Sequence, residues 1–187
     1  MHIDVHQFGP DPETGLVTLA TSGMAEKPMN VPPHVVNPEN FRFCELVIQV
    51  PDSWIKSLGD VPIHGSWPFR ELKSLALLPH RDDSWVWRGH TFASSPLVPY
   101  DPDTAFCASI LWPSYGLPPL AASLEMPDDR KIEFLTLGFF YAEELDAYRQ
   151  KRFDGFCDYI DEVDADLFDF LIFTPGRLNI CAAKKPW

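Results

Sequence analysis

The chain has 187 residues, 45% of them hydrophobic, and 27 acids against 15 Lys and Arg, a formal net charge of −12. That length and apolar fraction suit one buried core and exclude a disordered chain, and the charge has the wrong sign for a nucleic-acid-binding surface. No run approaches the ~18 apolar residues of a membrane span, and the N-terminus lacks the basic and apolar regions of a signal peptide, so a cytoplasmic protein is expected.

Residues 2–6 and 15–20 read as short strands joined by a turn at Gly9-Pro10-Asp11-Pro12. The second strand runs into TLATSGMAEKPM (18–29), a Ser-Gly turn followed by a small polar loop. Residues 41–50 form the clearest strand. Its near-continuous ELVIQV predicts cover on both faces, and Pro51 closes it. From Trp67 to Leu78 the apolar period changes to three and four residues (Phe69, Leu72, Leu75, Leu78), with Pro68 in the first turn and Arg70, Glu71 and Lys73 on the other side. That predicts an amphipathic helix ending by Leu78. Residues 85–92, 104–112 and 130–140 read as strands, the second stopped by Pro113.

In the last third, Glu143 to Lys151 form a short helix. After it, Phe153, Phe156, Ile160, Val163 and Leu167 make an apolar stripe, with Asp154, Asp158, Asp161, Glu162 and Asp164 on the solvent face. Acids from Asp161 to Asp169 crowd the C-terminal end, where the helix dipole disfavours them, so a fray or turn near Asp164 is expected. The order of elements implies an α+β fold, a mixed or antiparallel central sheet with helices packed against it, as a single domain over 1–187. The 19 prolines, about twice average usage, cluster in connections such as VPPHVVNP and GLPPL.

Few residues suggest chemistry. Four cysteines without a CxxC pair are expected to be reduced, with Cys44, Cys107 and Cys157 as core filling. His2, Asp4 and His6 share a strand face, but no HExxH or paired cysteine accompanies them, so neither metal nor cofactor is expected. His80-Arg81-Asp82-Asp83 reads as a solvated turn. Ser22-Gly23 lacks the G-x-S-x-G elbow and an assignable histidine–acid pair, and a Cys44 thiol among apolar neighbours stays protonated. Phosphate-loop motifs are absent, and no catalytic residue is assigned.

Glu45, an acid inside an apolar strand, lies either on a partly solvated face or buried and paired, for example with an arginine. Trp54 follows a Pro-Asp-Ser turn and Trp112 precedes Pro113-Ser114-Tyr115-Gly116. Such loop-proximal aromatics belong either to the core or to a protein-binding patch. Trp187 is a docked anchor or a terminal tail. Residues 143–170 carry ten acids against three bases, which fits solubility or attraction to a basic protein. The candidate binding residues are Glu45, Trp54, Trp112, Tyr115, Asp158, Asp161 and Glu162.

Leu19-Ala20-Thr21-Ser22-Gly23-Met24 with Pro28-Met29, then Glu45-Leu46 leading to Pro51 and Trp54, resembles the suppressor-of-fused domain family. The likeness continues through Trp67-Pro68, Leu72, Gly89, Leu137 and Glu143-Glu144-Leu145, over nearly all of the chain. The resemblance implies an α+β globular domain whose animal members bind and restrain a transcription factor in hedgehog signalling. This chain lacks the length for their additional C-terminal region and resembles more closely the bacterial single-domain members, which are thought from gene neighbourhood to be immunity proteins against polymorphic toxins.

Neither branch implies catalysis. The resemblance makes Thr21, Ser22, Gly23, Met24 and Glu45 fold-defining positions and implies a protein partner, such as a basic toxin domain. Ala25 stands where family members often carry a polar residue, which counts against a ligand role for that loop. The alternative is a hydrolase or small-molecule-binding protein whose pocket joins the 22–29 loop to His64 or His90. A third reading is a structural subunit. The oligomeric expectation is a monomer or weak homodimer.

Overall fold

The computed structural model describes residues 1–118, 121–163 and 170–182. Its strands are β1 (Asp4–Phe8), β2 (Leu16–Ser22), β3 (Cys44–Pro51), β4 (Thr91–Ala93), β5 (Ala108–Pro113), β6 (Ser123–Glu125) and β7 (Lys131–Phe140). The helices are α1 (Asp52–Ser57), α2 (Trp67–Arg81) and α3 (Ala142–Glu162). All seven strands join one sheet in the order β1-β2-β3-β7-β5-β4, with β6 also on β7. Only β3 and β7 run parallel, with Leu46 opposite Leu135; the other pairs are antiparallel. The fold is therefore α+β with a mixed sheet, as expected.

The β1–β2 turn is held by Asp11, whose carboxylate accepts the backbone N–H of Thr14 (2.8 Å) and Glu13 (3.0 Å) and the Thr14 hydroxyl (3.0 Å). These bonds, the Thr14 amide first, hold its carboxyl below the usual value. Every residue of β3 from Cys44 to Val50 is buried, as the apolar run predicts. One face of the sheet carries Val17, Leu19, Leu46, Ile48, Leu111 and Leu137, packed with Leu72, Leu75 and Ala76 of α2. On the other face Ala108, Ile110, Trp112 and Phe140 meet Leu145, Tyr148, Phe156 and Ile160 of α3. Alternation along β5 and β7 thus builds two cores from one sheet.

Four expectations need correction. Helix α2 does not stop at Leu78 but runs to Arg81 with Pro79 inside it. Proline so near the end forfeits one helical bond, and its carbonyl still accepts the Ser84 N–H (2.8 Å). His80 is accordingly no loop residue: it is half-buried, and its Nε2 lies 2.9 Å from the Met24 carbonyl oxygen.

Of 85–92, only Thr91 and Phe92 fall in a strand. Val86 and Trp87 are buried, but in irregular chain, because Arg88 and Gly89 (φ +82°) turn the backbone and the His90 N–H bonds the Trp87 carbonyl (3.0 Å). Likewise β5 begins only at Ala108, although Phe106 and Cys107 before it are buried.

The two expected C-terminal helices are there, joined at Arg152 (φ 64°, ψ −177°), a non-helical residue within α3. Phe156 and Ile160 are buried, while Asp154, Asp158, Asp161 and Glu162 are exposed. Leu167, the acids Asp164 to Asp169, and Trp187 lie outside the described residues. Among the described residues no helix is long and apolar enough to cross a membrane.

Candidate functional site

The TSGM segment and Glu45 form one interlocked unit. Gly23 has φ +103°, and a Cβ there would collide with the His2 carbonyl oxygen, so glycine is required on both counts. It starts a short 3₁₀ turn, Met24–Glu26, that has no side-chain cap of its own. Glu45 supplies the cap from β3: Oε1 accepts the Ala25 N–H (2.9 Å) and Oε2 the Thr21 hydroxyl (2.7 Å). The Leu46 N–H in turn donates to Thr21 Oγ1 (2.8 Å), so a threonine hydroxyl takes over where the β2–β3 ladder stops.

Glu45 is 5% exposed. Burial pushes its carboxyl above the usual range, and the hydrogen bonds of Ala25 and Thr21 pull the other way. It is buried as one alternative required, yet its partners are backbone and hydroxyl groups and not an arginine. Its carboxylate is closed to an outside partner.

Ser22 Oγ lies 2.8 Å from His6 Nε2. This pair does not make a hydrolytic centre. Asp4 bonds His2 (2.9 Å), and the amides after Ser22 that would stabilise an oxyanion, those of Gly23, Met24 and Ala25, are directed to Glu45. Beside the pair lies a cavity of about 530 Å³ on the part of the sheet that α3 leaves bare, with walls that include Ala20, Val47, Leu124 and Phe134.

The pocket near the 22–29 loop therefore includes His6, where His64 or His90 was expected. His64 sits against Phe69 (6.5 Å between rings) and His90 against Trp85 (4.7 Å), and burial holds His90 below its usual pKa. Among the described residues no group of three His, Cys, Asp or Glu could hold a metal ion.

The candidate binding residues separate. Trp112 is 4% exposed and packs against Phe153 (4.5 Å) and Phe170 (6.1 Å). Trp54, half-buried on α1, sets its edge on Phe173 (4.8 Å). Tyr115 is half-buried against the α3-side core, and its N–H donates to Thr136 Oγ1 (3.1 Å). Asp158, Asp161 and Glu162 come together with Asp154 on the outer face of α3, three and four residues apart. The aromatics serve the core, and the accessible part of the set is acidic.

Two polar clusters escaped sequence reasoning. Glu144, fully buried at the start of α3, receives Arg177 through two bonds (Nη1–Oε1 2.7 Å, Nη2–Oε2 2.6 Å). Glu71 on α2 accepts the hydroxyls of Tyr100 and Ser109, each at 3.0 Å. The position of Glu144 three residues after Tyr141, whose N–H it accepts (3.0 Å), was the one local signal, a helix-capping spacing.

Fold and site together define an α+β domain whose interior polar groups tie loops to the sheet, with an acidic helix face left in solvent. The sequence matches the family described as Suppressor of fused protein (SUFU) over residues 1–171, and the chain belongs to that family. Among solved structures it is similar to the crystal structure of Drosophila Suppressor of Fused, with a TM-score of 0.61 and 12% identity over 96% of this chain and 43% of that one. It is also similar to a chain of the Sufu-Fu complex crystal structure, with a TM-score of 0.62 and 11% identity over 96% of this chain and 77% of that one. The chain thus spans less than half of the Drosophila chain it matches. No curated protein sequence matches it.

Proposed function

We propose that this chain is a protein-binding module of the immunity type, which neutralises a basic toxin domain through the outer face of α3. The observation that carries this reading is the row Asp154, Asp158, Asp161 and Glu162: four exposed acids on one helix face, none in an ion pair among the described residues, in a chain of net charge −12. Such a row concentrates negative potential where a basic surface would land and raises the association rate in a salt-dependent way. The similarity to a chain of the Sufu-Fu complex supports an interaction role. The toxin class follows from the charge and from the resemblance to immunity proteins.

The test is association with the purified product of the adjacent gene, followed by biolayer interferometry at 50 and 300 mM salt. Replacing Asp154, Asp158 and Asp161 with Lys should slow association by at least about tenfold at low salt and remove most of its salt dependence. No binding to that product, or binding indifferent to the three substitutions, would overturn the proposal.

A further inference from the structure

Three shielded side-chain polar atoms lack a hydrogen-bond partner among the described residues: Trp87 Nε1, Ser114 Oγ and Ser84 Oγ. Two of these residues, Trp87 and Ser114, line a single cavity of about 840 Å³, and Ser84 stands three residues before Trp87. The cavity lies where β3 and β7 begin and β5 ends, with Phe43, Lys131 and Pro113 in its walls. Native structures leave few buried polar atoms unpaired, and each such atom calls for a reason. An indole N–H can only donate, so what suits Trp87, 9% exposed, is an acceptor.

The charged groups around it point the same way. Arg42, just before β3, and Arg88, in the turn after Trp87, both line the cavity and are exposed. Neither guanidinium has a hydrogen-bond or ion-pair partner among the described residues, although acids outnumber bases 27 to 15 in this chain. The other two bases in the wall are engaged. Arg130 bonds Asp128 (2.7 Å) and the Ala25 carbonyl (2.9 Å) and lies over the Phe43 ring, while Lys131 pairs with Glu133 (2.5 Å). Glu39 and Asp129 also line the cavity and pair with neither free arginine. They make the site unfavourable to a ligand of several negative charges.

We infer that this cavity binds a small organic monocarboxylate with an apolar body. The forks of Arg42 and Arg88 match the two oxygens of a carboxylate. Trp87 lines the same cavity and so reports on its occupancy, and Phe41, Phe43 and Leu135 receive the apolar part. The volume falls within the range of small-molecule sites, roughly 300–1,000 Å³.

The test is a titration of the intact chain, ¹⁵N-labelled, with phenylacetate, benzoate and 4-methylpentanoate, following the indole N–H resonances; the Trp87→Phe variant assigns that of Trp87. At least one carboxylate should shift the Trp87 resonance saturably, while phenylacetamide and citrate should not. Arg42→Gln and Arg88→Gln remove side chains that hold nothing in the fold, and each should weaken binding by about tenfold. Reversal of the α3 acids should leave the titration unchanged, which separates this site from the proposed toxin-binding face. A saturable shift by none of the three carboxylates, equal binding of the amide, or undiminished binding to the double arginine variant would overturn the inference.

Discussion

Replacing Arg177 with Met should remove a large part of the stability of this fold. The guanidinium is 7% exposed and its partner Glu144 wholly buried. Besides its two bonds to the carboxylate, Arg177 donates to the carbonyls of Phe139 (2.7 Å) and Leu178 (2.9 Å). It also lies about 5 Å from the ring centres of Phe106, Tyr141 and Phe170. Without it, Glu144 keeps the N–H groups of Tyr141 (3.0 Å) and Ile180 (2.9 Å) but carries an uncompensated charge in the interior. Breaking such a pair from one side costs about 3–5 kcal/mol, against a total stability of roughly 5–15 kcal/mol for a domain.

Glu144→Gln keeps an acceptor oxygen for only one of those two N–H groups and strands the guanidinium as well, so it should also destabilise. The double variant Glu144→Gln/Arg177→Met should lose about 2 kcal/mol less than the sum of the single losses. Urea unfolding followed by tryptophan fluorescence gives all three values. Arg149→Met serves as the control, since its ion pair with Asp146 is 3.9 Å long and exposed on both sides, and should change stability by no more than about 0.5 kcal/mol. A loss under about 1 kcal/mol for Arg177→Met, or additive losses, would refute the argument.

Glu71→Gln tests a pH effect. Burial raises the Glu71 carboxyl above its usual value of 4.5, with Ser109 and Tyr100 acting against it. The folded state therefore holds a proton that the unfolded state has already lost, and stability falls as pH rises from 4.5 through the raised folded value. Gln keeps the acceptor without the charge, so the variant should be at least as stable as the parent at pH 7 and show a shallower fall in urea midpoint between pH 4.5 and 7; an unchanged fall would count against this. Gly23→Ala combines a left-handed backbone with a collision against the His2 carbonyl, while Gly15→Ala, at φ +68°, meets no atom within 4 Å. Thermal melts should show a loss of roughly 1–3 kcal/mol or more at Gly23 and a clearly smaller one at Gly15. Trp112→Ala should cost about 3–5 kcal/mol as a core truncation, whereas Asp158→Ala should stay within about 0.5 kcal/mol, with both read from urea midpoints.

Much of this architecture was legible because the side chains that bury themselves repeat with the period of their element. Strand β3, helix α2 and the Phe156–Ile160 stripe of α3 all announce themselves in this way. The reading failed where burial and regular structure part company. Trp85, Val86 and Trp87 look like a strand because they are apolar, yet the turn at Gly89 bends the chain before a ladder can form. Trp112 looked loop-proximal because of Pro113, but it alternates with Ile110 and so faces α3. The Glu144–Arg177 pair spans 33 residues, and no spacing rule links two such positions. The same holds for the cavity around Trp87, whose walls come from five separate stretches of chain.

Identity of 12% with the Drosophila structure transmits a scaffold and not a surface. The residues that explain the scaffold are those with a structural use: Thr21, Gly23 and Glu45 at the end of β2, and Glu144 and Arg177 beneath α3. Arg177 lies beyond the 1–171 match, yet it bonds the Phe139 carbonyl of β7, so residues 172–182 belong to the same folded unit. Function has to be sought among charged side chains that the fold does not need. By that criterion Glu45 and Trp112 drop out of the binding set, since both are enclosed. What remains is Asp154, Asp158, Asp161 and Glu162 on one element, and Arg42 and Arg88 in two separate connecting segments. The two groups carry opposite charge and share no residue, so substitutions in one leave the other intact, and a partner protein and a small anion can be assigned to them independently.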